Sequence, residues 1–99
     1  VTRVELSLAA SERLDRMIVT HSLPADTRLR VGRSLLLLAR FPSIGRQLEG
    51  EWSGFRFMVG PWRWLLIVYL YDDAAGQVLV VGFQDARSSG AVTHLARTR

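Results

Sequence analysis

FPSIGRQLEGEWSGFRFMVGPWRWLLIVYLYDDAAGQVLVVGF, residues 41–83, is the stretch in which the chain changes from a helical to an extended pattern. Phe41-Pro42-Ser43-Ile44-Gly45 concentrates turn formers, and a polar connection continues from it through Gly50 to Gly54. Beyond that point aromatic and β-branched residues dominate, which predicts strands at 55–59, 62–71 and 78–83. Gly60-Pro61 turns the chain between the first two. Asp72-Asp73-Ala74-Ala75-Gly76-Gln77 is the loop of the following hairpin. Strands joined by connections this short pair antiparallel.

Upstream the period differs. Val4, Leu6 and Leu8 alternate with Arg3, Glu5 and Ser7, which predicts a short first strand with one buried face. From about residue 9 the apolar positions Ala10, Leu14, Met17 and Ile18, with His21, follow one side of a helix that Ser7 is placed to cap. Pro24 is expected to stop it, leaving a break of one to three residues. A second helix over 25–40 carries Val31, Leu35, Leu38 and Ala39 on one stripe, widened by Leu36 and Leu37. Gly32 inside it costs about 1 kcal/mol relative to alanine, so a close helix–helix contact is expected there.

The order is therefore β-α-α-β-β-β: one α+β domain over residues 1–99, an N-terminal strand and an antiparallel helical hairpin packed on an antiparallel sheet of about four strands. Val4, Leu6, Leu14, Met17, Ile18, Leu35, Leu38 and alternate residues of 65–70 are the expected core.

Composition narrows the function. The 99 residues suffice for a single modest core. The absence of cysteine excludes disulfides, thiol nucleophiles and thiolate metal sites, and two distant histidines have no metal-ligand spacing, so no cofactor is expected. The run at 62–71 is interrupted by Arg63 and is about half the ~20 residues of a membrane span. The first residues lack the pattern of a secretory signal, so a cytoplasmic protein with no membrane partner is expected. All 13 basic residues are arginine, and the net charge is +4. Arginine grips phosphate with a rigid fork of donors, which suits a nucleic-acid partner. A GC-rich coding bias accounts for the missing lysine by itself, but it leaves the positive charge in place.

Several passages, in order, resemble the RelE/ParE superfamily of bacterial type II toxins. Val31, Leu35 and Leu38 lead into Phe41-Pro42-Ser43-Ile44-Gly45 and then Leu48-Glu49-Gly50-Glu51-Trp52-Ser53-Gly54-Phe55-Arg56, similar to the family's "L...P..G..L.G..SG.R" passage. Val59-Gly60 followed by Trp62-Arg63 resembles its "VG.YR" hairpin, and Asp85-Ala86-Arg87 resembles the arginine that ends the last strand. The resemblance implies a toxin neutralised by a cognate antitoxin protein. It implies one of two targets, because one branch cuts mRNA in the ribosomal A site and the other poisons DNA gyrase. A degenerate chain that only binds the antitoxin is a third reading.

Metal-free RNA cleavage needs a base for the 2′-hydroxyl, cations for the charge on phosphorus and an acid for the leaving oxygen. The resemblance gives the cationic roles to Arg56, Arg63 and Arg87, expected on the second, third and final strands. Arg56 stands where the family has lysine. A second family lysine is replaced by Met58, and a family tyrosine three residues after the hairpin arginine by Leu66, with Tyr69 the nearest tyrosine. Arginine stays protonated and is a poor base. His94, near the place of a terminal tyrosine or histidine in nuclease members, is the leading candidate for proton transfer, and Glu49 or Glu51 is the other. Each has a plainer alternative: an exposed strand arginine, a salt bridge to Asp72, Asp85 or Glu49, or solvated charge. His21 reads as a packing or partner-contact residue. Trp52, Trp62, Trp64, Phe55, Phe57 and Phe83 are expected mainly to fill the core, with base stacking as the alternative.

Overall fold

A computed structural model describes residues 2–88 of the chain. His94 lies outside the described residues. The elements are β1 (Arg3–Leu6), α1 (Leu8–Thr20), α2 (Thr27–Arg40), β2 (Arg46–Gln47), a single 3₁₀ turn (Gly50–Trp52), β3 (Phe55–Val59), β4 (Leu65–Asp72) and β5 (Gln77–Asp85). They form a five-stranded sheet in the order β1-β5-β4-β3-β2. The predicted α+β class and element order hold, and the sheet adds two details. The two-residue β2 extends the edge, pairing Arg46 with Phe57 and Gln47 with Arg56. The sheet is mixed rather than antiparallel, because β1 runs parallel to β5, with Val4 beside Val78 and Leu6 beside Val80. The two helices carry the chain off the sheet after β1, so its partner is the last strand rather than the next one.

The ends of the helices follow local chemistry. Ser7 caps α1 as expected, its hydroxyl accepting from the Ala10 N–H at 3.0 Å. Pro24 does not end α1. Ser22 adopts a left-handed φ of 50°, its N–H donates to Val19 O and the Leu23 N–H donates to Ile18 O. These paired bonds close the helix before the proline is reached. His21 thus becomes the C-cap, and the connection lengthens to residues 21–26. α2 begins at Thr27, whose buried hydroxyl donates to Pro24 O at 2.7 Å. A methyl group on Gly32 would meet nothing within 4 Å, so the expected close contact is absent there and nothing in the structure explains the glycine.

β4 is buried on both faces. Leu65, Ile67 and Tyr69 face the helices, meeting Leu14, Met17, Val31 and Leu38 together with Val78, Val80 and Phe83 of β5. Leu66 and Val68 point the other way and are covered by Leu48, Trp52, Phe55 and Phe57. Alternation was expected for 65–70. It fails because β4 lies inside the sheet and the β2–β3 segment builds a second cluster beneath it, so all five residues from Leu65 to Tyr69 are buried. Val4, Leu6, Ile18 and Leu35 pack around the main core while keeping some exposure. Leu36 and Leu37, expected to widen the buried face of α2, are exposed.

One irregularity sets the chemistry of the sheet's end. Val68 pairs with Gly82 but Tyr69 pairs with Val80, which leaves Val81 as an extra residue in β5. Such a bulge reverses the alternation along the strand. Val78 and Val80 face the helices before it, Phe83 does so after it, and Asp85, opposite Leu65, is delivered to the same side.

Candidate functional site

Asp85 arrives where α1 ends, where the β3–β4 turn carries Trp62 and Trp64, and where the chain leaves β5. Its carboxylate has 13% exposure and is a junction. Oδ1 accepts from the Arg87 backbone N–H at 2.8 Å and from Arg87 Nε at 3.0 Å. Oδ2 accepts from Arg87 Nη2 at 3.0 Å and bonds His21 Nε2 at 3.0 Å. The guanidinium bonds hold the carboxyl well below the usual carboxylate range. Burial opposes them, and the Arg87 N–H and His21 add to them. An ionised carboxylate only accepts, so His21 Nε2 carries the hydrogen in this bond. The other ring nitrogen, Nδ1, lies 2.9 Å from the Thr20 hydroxyl. Both ring nitrogens are therefore engaged, and the imidazole orients its neighbours instead of standing ready to take a proton from a substrate.

The aromatic rings beside this junction are stacked. His21 and Trp64 have centroids 5.3 Å apart and planes within 8°. Trp64 and Trp62 are 5.7 Å apart and within 7°. The Arg87 guanidinium lies over Trp64 at 4.6 Å, and that of Arg30 lies over Trp62 at 5.8 Å. The turn is shaped by Gly60 N–H donating to Leu65 O and Leu65 N–H donating to Trp62 O, while Ala86 N–H ties the tail of β5 to Trp64 O. Arg87 is thus gripped by a carboxylate and an indole with its side chain still 62% exposed. Two of its five N–H donors are used on Asp85, and the other three have no partner among the described residues.

The residues singled out from the sequence separate in space. Arg87 lies in the turn after β5 and Arg63 in the turn before β4, so neither is on a strand as expected; Arg63 is exposed. The Trp62–Leu65 backbone bond delays the start of β4 past Arg63, and the Asp85–Ser88 bond turns the chain before Arg87. Arg56 is on β3 as expected and shares the helix-side face with its partner Tyr69. Its Nη1 donates to Ser43 O at 3.1 Å and to Gly45 O at 2.8 Å. Met58 packs against the main core, and Glu49 and Glu51 are exposed.

His21 and Asp85 were not singled out as site residues. The available signal was weak: a histidine on the apolar stripe of α1, and a charged residue at the end of a strand. Among the described residues no group of three or more histidines and carboxylates is placed to hold a metal ion.

Comparison with known proteins fixes the fold. No protein-family model matches the chain, and no curated protein matches it in sequence. Solved structures do. The toxin–antitoxin complex RelBE2 of Mycobacterium tuberculosis aligns with a TM-score of 0.67 at 21% identity, over 85% of this chain and 96% of that one. The isolated RelE toxin of Escherichia coli aligns with a TM-score of 0.66 at 15% identity, over 99% of this chain and 98% of that one. YafQ of Escherichia coli gives 0.58 at 14% identity, over 86% of this chain and 93% of that one. The chain shares the fold of these solved structures. No helix among the described residues is long and apolar enough to cross a membrane.

Proposed function

We propose that this chain is the toxin of a type II toxin–antitoxin system, a ribosome-dependent mRNA endoribonuclease that inhibits translation in the cytoplasm and is neutralised by a cognate antitoxin. The observation that carries the reading is the presentation of Arg87, oriented and exposed, at the end of β5 in a RelE-like fold. The scissile phosphate is assigned to Arg87 and to the exposed Arg63, whose charges stabilise the pentavalent phosphorus as the 2′-hydroxyl attacks. His94 is assigned the proton transfers. Arg56, half-buried with its Nη1 engaged by two carbonyls, is assigned the shaping of the 42–45 loop.

The antitoxin is assigned to an apolar surface between the end of α2 and the β2–β3 edge. Leu37, Phe41, Ile44 and Val59 are exposed there beside Arg40 and Arg46. An amphipathic segment bearing acidic residues fits it. Antitoxin was crystallised with the relatives in the RelBE complexes.

Two observations favour a second reading, a DNA gyrase inhibitor without hydrolytic activity. Met58 is packed into the core and Arg56 is turned to the loop, which leaves β3 without a group that transfers protons. One experiment separates the readings. Protein freed of antitoxin, added to ribosomes carrying mRNA, should cut the A-site codon and leave gyrase supercoiling unchanged. Intact mRNA with reduced supercoiling would transfer the assignment to gyrase.

A further inference from the structure

We infer that Asp85 is a positioning residue for Arg87, and that Asp85, Trp64 and His21 form a seat presenting the outer edge of the Arg87 guanidinium to an RNA phosphodiester. The inference deepens the nuclease reading and rests on its assignment of phosphate to Arg87. A free arginine side chain on a turn samples many rotamers, and ordering it on a ligand costs conformational entropy. Here most of that freedom is already removed. The fork to both carboxylate oxygens fixes the plane of the guanidinium, the backbone N–H of the same residue fixes the carboxylate, and the indole of Trp64 lies beneath the charge. Asp85 in turn is held from behind by His21, itself stacked on Trp64 and bonded to Thr20. The groups facing Arg87 thus come from the end of α1, the β3–β4 turn and the end of β5.

The donors used and those left over have different directions. Nε and one Nη2 hydrogen point to Asp85, whereas Nη1 and the second Nη2 hydrogen, unpartnered among the described residues, face outward for an anion. Two parallel donors on a planar edge match two phosphate oxygens.

The test is a double-mutant cycle on binding of a short 2′-O-methyl RNA, which offers phosphodiesters but cannot be cut at the 2′-oxygen. Arg87→Ala should weaken binding roughly tenfold at low salt and reduce the slope of log affinity against log salt by about one. Asp85→Asn, which preserves shape but loses the ionised fork, should weaken it roughly threefold to tenfold. Because it acts through Arg87, the double variant should bind no more weakly than Arg87→Ala alone. Arg33→Gln, an exposed charge on α2 outside this cluster, measures the effect of net charge alone. Melting curves accompany each variant. If Asp85→Asn unfolds at the assay temperature, His21→Asn replaces it in the cycle, with a smaller loss that Arg87→Ala again abolishes.

Binding by Asp85→Asn equal to wild type, additive losses in the double variant, or an Arg87→Ala affinity no lower than that of Arg33→Gln would each overturn the inference. Coupled losses in binding alongside uncut ribosomal mRNA would uphold the seat and remove the nuclease reading. Normal cleavage with no coupling would do the reverse.

Discussion

Arg56 and Arg87 carry the same side chain on the same side of one sheet, yet the protein uses them in opposite ways. Arg56 faces a loop whose polar groups need partners. Its Nη1 meets the carbonyls of Ser43 and Gly45, while the Tyr69 hydroxyl donates to Pro42 O at 2.9 Å and accepts from the Gly45 N–H at 2.8 Å. Residues 42–45 are therefore tied down at four backbone positions by two side chains. Arg87 faces a carboxylate that orients it while leaving most of its side chain in solvent. Each arginine spends two of its five donors, but Arg56 is half-buried and spends them on the neutral carbonyls of the loop, which holds the fold together. Arg87, oriented and still exposed, keeps donors for something else.

If the loop is the rigid region, the largest effect should come from crowding it. A Cβ on Gly45 would collide with the Tyr69 hydroxyl and lie 2.7 Å from Phe57 O. Gly45→Ala should therefore destabilise the protein by roughly 3 kcal/mol, read as a fall in the denaturant midpoint. Tyr69→Phe tests the same loop by removing a partner. Burial raises the pKa of this phenol above its usual value, so it is the neutral hydroxyl that bridges the loop. Its loss should cost about 2 kcal/mol, because the Gly45 N–H is left buried without an acceptor.

At the other end the sign of a pH effect identifies the ion pair. Asp85 is depressed in the folded state, so its stabilisation is complete above the ordinary carboxylate range and is lost as pH falls through and below about pH 4. Wild type should exceed Asp85→Asn by about 1 kcal/mol at pH 7, and the two should converge in acid. A constant difference from pH 7 to pH 3 would mean that the carboxylate's charge contributes nothing. The smallest effect lies outside both regions. Gly32→Ala on open helix surface should raise stability by about 0.5–1 kcal/mol in the same denaturant titration.

The two regions were not equally legible in the sequence. The loop announced itself through Pro42 and Gly45, and the switch of period around it placed every helix and the three long strands. Serine at position 7 marked a helix start correctly because N-capping is a local interaction. The site at the sheet's end depends on distant pairings. His21 and Asp85 are 64 residues apart in sequence and meet only because β5 carries an extra residue at Val81. No composition or period signals a bulge in a run of valines. The parallel pairing of β1 with β5 was hidden for a related reason, since neighbouring segments give no account of which strand closes a sheet edge. Proline at position 24 misled because a serine tolerated a left-handed conformation two residues earlier.

On the nuclease reading, one arginine serves the fold and the other serves the phosphate. The most direct test measures melting and single-turnover cleavage of ribosome-bound mRNA for Arg56→Ala and Arg87→Ala side by side. Arg87→Ala should melt as wild type does and cut more slowly by on the order of 10² to 10³, as loss of a transition-state donor does. Arg56→Ala should lose about 1 kcal/mol of stability and retain most of its rate at temperatures where it is folded. A reversed pattern, with Arg87→Ala cutting at the wild-type rate and Arg56→Ala folded but inactive, would contradict the account.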